Sequence, residues 1–459
     1  MTSINILPRS GPGAGPRFRP LLRRHIDQIP QLRNLSPDDR LALKAVSAVL
    51  PFRVNRYVID NLIDWGKVPD DPLFQLTFPQ RGMLDPKDFD RMADLVRRDA
   101  PAAEIRAVAR EIQMSMNPHP AGQADLNVPR IDGEPLPGMQ HKYRETVLYF
   151  PGQGQTCHAY CTYCFRWAQF VGIEDLRFSA NEASLLARYL RRHHEVTDVL
   201  FTGGDPMVMK TDKLRSYIEP LLRIDHLIHI RIGTKALSYW PHRFTTDADA
   251  DDLLRLAEDV HRAGKHLAIM AHVSHAAELY PGPVQEAIRR LRDAGCIIRS
   301  QAPLIRHVND TSRAWAEMWK LQLDLGIVPY YMFVERDTGA KNYFEVPLAR
   351  AYNIYRRAIR RVPGTGRTAR GPSMSATPGK VVVDGITEIG GEEVFVLNFL
   401  QGRNPRWVQR PFFARFDPEA TWLDDLRPAF GEERFFFEKE MTELERSPGE
   451  KLWGVPEPV

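Results

Sequence analysis

Six short runs rich in β-branched and aromatic residues recur between Glu145 and Arg336, and stretches with helical periodicity lie between most of them. The runs read ETVLYF, VTDVLFTGG, HIRIGT, HLAIMAHV, CIIRSQAPLI and VPYYMFV. Most of them start about 30 to 40 residues apart, which is the length of one strand–helix unit. Consecutive units of this kind build parallel strands, because each crossover between parallel strands needs a helix-length connection. The pattern therefore predicts an α/β fold with an open or partial (β/α)6 barrel.

Glycines and polar residues follow three of these runs, at the strand ends where a parallel barrel gathers its chemistry. A loop with three cysteines follows the first run, Gly203-Gly204-Asp205 follows the second, and His272 and His275 follow the fourth. We expect these segments to lie together at one edge of the barrel. Each histidine fits a catalytic role and a purely structural one equally well.

The cysteine loop reads GQTCHAYCTYCFRW and holds Cys157, Cys161 and Cys164 with the spacing C-x3-C-x2-C. Four cysteines in 459 residues argue against a disulfide framework and indicate reduced thiols. The fourth, Cys296, lies on a predicted strand far along the chain. Structural zinc takes four protein ligands, so zinc would need His158, the neighbour of Cys157. Three thiolates suit a [4Fe–4S] cluster that leaves one iron open for chemistry, and the spacing favours this assignment.

A C-x3-C-x2-C loop after the first barrel strand resembles the signature of the radical S-adenosylmethionine (SAM) superfamily. The resemblance implies that the three cysteines bind the cluster and that the open iron binds SAM. Cleavage of SAM would then release a 5′-deoxyadenosyl radical that abstracts hydrogen from a substrate. The turn Gly203-Gly204-Asp205 resembles the family's glycine-rich motif, whose backbone contacts the methionine end of SAM.

Further segments resemble the lysine 2,3-aminomutase family in the family's own order, from roughly Pro135 to Glu345. They are PLPGMQHKY with VLYF, CTYCFR, VLFTGGDP, HIRIGTK, HVSHAAEL, SQAPLIRHVND and VPYYMF. Members of that family move an amino group between adjacent carbons while the amine is carried on pyridoxal 5′-phosphate (PLP). The resemblance implies the same reaction class for this chain.

Carried over residue by residue, the resemblance assigns roles to single side chains. Arg166, two residues after Cys164, would bind the substrate carboxylate, for which a planar guanidinium is well suited. The alternative for Arg166 is pairing with a local acid or packing on Trp167. Lys380 would attach PLP. The remaining implied cofactor contacts are Tyr143 beside the PLP ring, Arg231 and Lys235 at the PLP phosphate, and Gln301 near SAM.

Two segments around the implied PLP site depart from the family pattern. Arg144-Glu145-Thr146 follows Tyr143 where the family has Pro-Asp-Arg, so one cation is missing unless Arg144 replaces it. Lys380 ends GPSMSATPGK, an altered form of the family's glycine-rich loop, and lysine after Pro-Gly is also common in ordinary surface turns. PLP is therefore the less certain of the expected cofactors.

The positions that read the substrate side chain also depart. Lysine-specific members carry two carboxylates there, because a buried ammonium needs a charged partner. Arg336 stands at the first position with Asp337 adjacent, and Ser373 or Ser375 lies near the second. If Arg336 faces the pocket, an acidic or neutral side chain is favoured. If the loop shifts by one residue, Asp337 restores half of a lysine site.

Four regions follow from these patterns. Residues 1–113 form a helical N-terminal region, residues 114–140 a Pro/Gly-rich connector, residues 141–345 the barrel and residues 346–459 a C-terminal extension. The extension is expected to hold one basic helix, a Pro/Gly/Ser loop, a short strand pair and an aromatic tail. The tail would pack against the barrel or against a second subunit of a homo-oligomer.

Charge and hydropathy limit the partners. The formal net charge of +4 is small for 459 residues, so nucleic acid is not expected as a partner. The first residues lack the apolar core of a secretory signal, and no apolar run approaches the ~20 residues that span a bilayer. We expect a cytoplasmic protein without a membrane partner.

The leading hypothesis is a radical SAM enzyme that acts as a PLP-dependent 2,3-aminomutase on an α-amino acid. Its cofactors would be a [4Fe–4S] cluster, SAM and PLP, with a reductant such as flavodoxin or ferredoxin. The first alternative is a radical SAM enzyme of the same fold that performs another hydrogen abstraction without PLP. The second, of another class, is a non-catalytic iron–sulfur protein for electron transfer or sensing.

Overall fold

The N-terminal part of the chain is mostly helical. The computed structural model describes residues 15–122, 126–172, 178–180 and 182–446. Strands β1 (Pro20–Leu22) and β2 (Arg53–Asn55) pair in antiparallel orientation at the start. The helices of this part are α1 (Pro37–Val49), α2 (Arg56–Asn61), α3 (Pro72–Thr77), α4 (Pro86–Arg97) and α5 (Ala102–Ser115).

The central part is the predicted barrel. After a small hairpin of β3 (Arg130–Ile131) and β4 (Glu134–Pro135), strand β5 (Met139–Tyr143) runs antiparallel to the first barrel strand. The barrel strands are parallel and neighbour one another in chain order. They are β6 (Thr146–Tyr149), β7 (Asp198–Phe201), β8 (His229–Thr234), β9 (His266–His272), β10 (Ile297–Leu304) and β11 (Val328–Val334).

Helices connect these strands, and burial explains both element types. Residues 267–271 of β9 are all buried, as expected for a parallel strand covered on both faces. In the crossover helix Ala250–Arg262 the buried face includes Leu253, Leu256, Ala257 and Val260, the spacing of one helical stripe. The predicted partial (β/α)6 barrel is confirmed. Its helices are α6 (Ala183–Arg192), α7 (Thr211–Ile218), α8 (Ala236–Tyr239), α9 (His242–Thr245), α10 (Ala250–Arg262), α11 (Gly282–Asp293) and α12 (Ser312–Asp324).

The C-terminal part differs from its sequence prediction. After α13 (Lys341–Phe344) and α14 (Leu348–Ile359), the predicted Pro/Gly/Ser loop is instead strand β12 (Arg370–Ser375), parallel to β11. Its small residues favour a turn by themselves, but pairing with a strand on each side overrides that preference. The expected short strand pair is two eleven-residue strands, β13 (Gly379–Ile389) and β14 (Glu392–Gly402), followed by β15 (Phe412–Arg415) and α15 (Glu438–Arg446).

Strands on both sides of residue 345 belong to one eleven-stranded sheet. Strand β14 also comes back against β5, so the sheet curls and encloses an interior. The Lys142 ammonium of β5 donates to the carbonyl oxygen of Ala376, just after β12. This hydrogen bond is a further link between β5 and the C-terminal part of the chain. A second apolar core, around Phe399, lies outside the barrel core. Within the residues described above, no helix has the length and apolar character needed to cross a membrane.

Candidate active site

The three cysteines lie on the loop that leaves β6 and are partly buried. Burial raises the pKa of each thiol, and the other two thiols raise the pKa of Cys157 further. The loop therefore holds three thiols near one another. Because their pKa values are raised, the thiolate forms are unfavourable there without a positive partner. Bound iron removes this penalty, because it takes thiolates as ligands. In the part of the chain that is described, no three His, Cys, Asp or Glu side chains are arranged around a single metal ion. The three thiols fit a cluster, in which each binds its own iron.

His158, the residue considered for a zinc site, packs in an apolar environment. Its ring meets Phe18 edge-on at 5.1 Å and stacks on Trp240 at 6.4 Å. Burial lowers the pKa of His158 to about 3, so the ring is neutral.

The N-terminal part holds the cysteine loop in place. The amide Nδ2 of Asn55 donates to the carbonyl oxygens of His158 (3.1 Å) and Tyr239 (3.0 Å). The backbone N–H of Tyr160 donates to the carbonyl of Arg53 at 2.8 Å. Asn55 is fully buried, so these bonds are shielded from water. Its role was missed in the sequence, where a lone asparagine far from the cysteines carries no signal.

The turn after β7 packs directly on the cysteine loop. A Cβ at Gly204 would clash with the backbone N and O of Thr156, so a side chain there has no room. The N–H of Asp205 donates to the carbonyl of Thr156 at 2.7 Å. The Asp205 carboxylate accepts from Thr234 Oγ1 (2.7 Å) and from the N–H of Lys235 (2.9 Å). It therefore locks the turn, while Gly203, at φ 139°, has the Gln155 side chain where a Cβ would lie.

Lys235 lies beneath the cysteine loop, in a buried ion pair. Its Nζ is 2.6 Å from Glu278 Oε2 and 3.2 Å from the carbonyl oxygen of His272. It is close enough to lower the pKa of Cys161. Lys235 was expected at the PLP phosphate, and its ammonium is engaged by Glu278 and His272 within the protein. Glu278 was missed in the sequence, where it is one acid in a short helical turn.

The paired histidines differ from each other in their surroundings. The Tyr163 hydroxyl lies 3.0 Å from His272 Nδ1. Burial, followed by the charge of Lys235, lowers the pKa of His272 to about 3, so its ring is neutral. His275 Nδ1 accepts from the N–H of Ala277 at 3.2 Å and begins a helical turn. His275 is therefore used structurally, whereas His272 lies against the cysteine loop.

Lys380, at the start of β13, is enclosed by aromatic rings. Its Nζ lies 4.1 Å from the centre of the Tyr331 ring and 6.0 Å from that of Tyr143. It donates to Gln401 Oε1 at 3.0 Å. Burial, then the charges of Arg231 and Arg370, lower the pKa of Lys380 to about 7. We call Lys380, Tyr143, Tyr331, Gln401 and Arg370 the Lys380 cage.

The cage opens on a cleft of about 400 Å³ that is lined by Tyr143, Arg144, Tyr331, Arg370 and Gln401, among others. The Arg370 guanidinium lies 5.0 Å from the Tyr331 ring centre. Arg370 was not anticipated, because β12 was expected to be a loop. Arg144 lines the same cleft. It is therefore placed where it could replace the cation that is missing after Tyr143.

The other predicted cation at this site is engaged within the protein. Arg231 Nε donates to Asp198 Oδ1 at 2.7 Å. Its charge still reaches Lys380, whose pKa it lowers. An amine, an aromatic face and free cations are what PLP requires from a protein, so the residues of the Lys380 cage fit that cofactor.

Arg166 and Arg336 both lie close to the ring of Phe165, which follows Cys164 on the cysteine loop. The Arg166 guanidinium carbon is 3.9 Å from the Phe150 ring centre and 5.6 Å from that of Phe165. Arg336 is 5.4 Å from the Phe165 ring centre. Burial lowers the pKa of Arg166 to about 9. Among the described residues, Arg166 forms no ion pair. The alternative in which Arg166 pairs with a local acid is therefore not found there.

Arg336 has only a weak contact with its neighbour Asp337. Arg336 Nε is 3.6 Å from Asp337 Oδ1, and among the described residues Nε, Nη2 and that oxygen have no hydrogen-bond partner. Asp337 Oδ2 instead accepts from Asn117 Nδ2 at 3.2 Å. Of the other predicted residues, Gln301 lies in β10 beside His272.

The chain is similar over most of its length to proteins named for one activity. The chain is 26% identical over 403 residues to an Aquifex aeolicus protein named "Putative L-lysine 2,3-aminomutase", covering 88% of this chain and 93% of the relative. It is 26% identical over 339 residues to the L-lysine 2,3-aminomutase of Escherichia coli, covering 74% and 85%. No family model matches. Among solved structures, a radical SAM methyltransferase from Sphaerobacter thermophilus overlaps 50% of this chain and 68% of its own, at 15% identity and a TM-score of 0.30.

The relatives cover the barrel, the cysteine loop and the glycine turn together, which is more than any one motif provides. The chain is therefore similar over most of its length to L-lysine 2,3-aminomutases, which supports a radical SAM enzyme of this kind.

Proposed function

We propose that this radical SAM enzyme is a PLP-dependent 2,3-aminomutase for an α-amino acid, with Lys380 attaching PLP. The observation that carries the proposal is the Lys380 cage, which keeps a buried amine close to neutrality. A lysine attacks an aldehyde only as the neutral amine, and an ordinary lysine is almost fully protonated at pH 7. A pKa of about 7 leaves roughly half of Lys380 reactive there.

The surroundings of Lys380 suit the rest of the cofactor. Tyr143 and Tyr331 offer ring faces to a planar pyridine. Arg370 supplies a guanidinium for a phosphate and stands in for the cation that the segment after Tyr143 lacks. PLP when bound would stabilise a radical next to the substrate nitrogen, and the cluster with SAM would supply the hydrogen-abstracting radical.

The chain's own residues would position and shield the reactants. Cys157, Cys161 and Cys164 would hold the cluster, and the turn at Gly204 would leave backbone groups free for SAM. Arg166 would orient the substrate through its carboxylate, because its guanidinium has no described protein acid to bind. The enclosing sheet would keep water from the radical species.

An absorption spectrum tests the proposal. Protein reconstituted with cluster and PLP should show the band of lysine-bound PLP once the iron–sulfur absorption is subtracted. Lys380→Ala should abolish the band and leave the circular dichroism unchanged. Lys320→Ala, which removes an exposed lysine on α12, should keep the band. Absence of PLP from well-folded protein would refute the proposal.

A second candidate is a PLP-independent radical SAM enzyme. It is favoured by Thr146, which stands where the family has arginine, and by the hydrogen bond that Lys380 already makes to Gln401. Release of 5′-deoxyadenosine from SAM, with a strong reductant and without bound PLP, would support this candidate if an amino acid stimulates the release.

A further inference from the structure

The guanidinium groups of Arg166 and Arg336 lie near the same aromatic ring. Their guanidinium carbons are 5.6 and 5.4 Å from the ring centre of Phe165. Arg166 is buried, and the Arg336 side chain is 16% exposed. Arg336 also meets the Trp422 ring at 5.7 Å, so a residue beyond the barrel closes this side.

The unmade hydrogen bonds of Arg336 point to a ligand. Its Nε and Nη2 are buried without a hydrogen-bond partner, and its only described ion pair, with Asp337, is 3.6 Å long. Leaving buried charged donors unpaired is costly, and an oxygen anion would remove the cost. A guanidinium binds a carboxylate through two parallel bonds, the geometry that these free nitrogens offer.

The charges nearby exclude a cationic side chain in the same place. Arg166 and Arg336 already place two guanidinium groups beside Phe165. The neighbouring acid Glu335 is buried, and burial raises the pKa of its carboxyl well above its usual range. Asp337, which lies 3.6 Å from Arg336 Nε, also accepts a hydrogen bond from Asn117. A substrate ammonium would add a positive charge to this cluster and would be repelled.

We infer that the substrate is an acidic amino acid, whose α-carboxylate binds Arg166 and whose side-chain carboxylate binds Arg336. The inference rests on the proposed aminomutase function and deepens it. Moving the amino group of aspartate from C2 to C3 regenerates aspartate, because C3 carries the second carboxylate. Glutamate is the shortest acidic amino acid that gives a different product, 3-aminopentanedioate. In that reaction the C2–N bond breaks, a C3–N bond forms, and one hydrogen moves from C3 to C2, without net oxidation.

Calorimetry on the cluster-loaded, SAM-bound protein tests the inference. L-Glutamate should bind at least about 10-fold more tightly than L-norvaline, its neutral five-carbon counterpart, and than L-lysine. Arg336→Gln should weaken glutamate binding by about 10- to 100-fold and leave norvaline unchanged. Arg336→Lys, which keeps the charge, should restore part of the affinity. Arg350→Gln removes an exposed arginine paired with Asp310 and should change nothing.

The outcomes separate this inference from the proposed function. Equal or tighter binding of lysine or norvaline by the unmodified protein would overturn the inference, whatever the variants do. Unchanged glutamate affinity in a folded Arg336→Gln protein would overturn it as well. Titrations with and without PLP distinguish the acidic-substrate inference from the aminomutase proposal. If glutamate binds but no PLP band forms, only the aminomutase proposal is refuted. With reductant present, nuclear magnetic resonance should detect 3-aminopentanedioate.

Discussion

Burial decides what single charged residues do in this enzyme. Lys235 is buried and Lys380 and Arg336 are partly buried, and each is in a different electrostatic situation. Lys235 has Glu278 as a partner, Lys380 lies near other cations, and Arg336 has buried donors without a hydrogen-bond partner among the described residues. Lys235 therefore forms a structural ion pair, Lys380 is a weakly basic amine, and we propose Arg336 as a binding group.

The acidity of Lys380 predicts how PLP attachment depends on pH. The folded pKa of about 7 lies below the usual 10.5, so the neutral, reactive fraction rises as pH increases through about 7. The initial rate at which the lysine-bound PLP band grows should rise between about pH 6 and pH 8 and then level off. Arg370→Gln removes a cation and should move this rise to higher pH. A rate that keeps climbing to about pH 9 in the unmodified protein contradicts the prediction.

The Lys235–Glu278 pair predicts a large loss of stability. Glu278 also accepts hydrogen bonds from Ser238 Oγ (2.6 Å) and from the N–H of Ser274 (2.7 Å). Glu278→Ala would leave a buried ammonium uncompensated, and the free energy of unfolding should fall by about 3–5 kcal/mol. Urea unfolding followed by tryptophan fluorescence measures it. Glu258→Ala, at an exposed position on α10, should stay within about 0.5 kcal/mol.

At the scale of elements, the cysteine loop is held between two others. Strand β2 binds it through Asn55 on one side, and the turn after β7 packs on it through Gly204 on the other. The loop contains no long regular element of its own. Its shape therefore depends on contacts with residues about one hundred positions before it and about fifty after it.

Gly204→Ala tests the contact between the turn and the loop. The new methyl group would overlap the backbone of Thr156, so the two segments must separate. The stability should fall by about 1–3 kcal/mol, and less iron should be bound per chain after reconstitution. Thermal unfolding and iron analysis measure the two effects. Gly282→Ala is the matched control, because nothing lies within 4 Å of a Cβ there, and it should bind iron normally. Equal iron content in both variants would contradict the prediction.

At the scale of the whole molecule, the C-terminal strands are part of the enclosure of the active site. Strands β12 to β15 extend the barrel sheet, and β14 returns to β5. Lys380, Gln401 and Trp422 all come from this part of the chain. The second apolar core supports these strands from outside the barrel.

Phe399→Ala tests how the second core supports the sheet. Phe399 is fully buried and contacts the rings of Trp407, Phe412 and Phe437. Its truncation should cost about 3–5 kcal/mol in the free energy of unfolding. Because β13 pairs with β14, proteolysis within the C-terminal strands should also become faster. Phe430→Ala, at a side chain that is 46% exposed, should have a small effect on both measurements. If the two variants behave alike, the second core does not stabilise the sheet.

Local patterns were enough to predict the barrel, because burial imposes a regular rhythm on strands and helices. The same patterns failed for β12. Gly371, Pro372 and Ser373 favour a turn, and only the strands on either side make this segment extended. Arg370 was missed as a consequence, since its position beside Lys380 depends on that strand.

The amino-acid sequence by itself determined the resemblance to lysine 2,3-aminomutases, the order of barrel strands and the placement of three cysteines on one loop. These features depend on spacing along the chain, which is local. The tertiary structure alone decided that Lys235 pairs with Glu278 under the cysteine loop, and that Arg370 lies beside Lys380. It also decided that Arg336 keeps unpaired donors next to Arg166. Each of these depends on which residues, far apart in the chain, share a space without water, and spacing along a sequence does not carry that information.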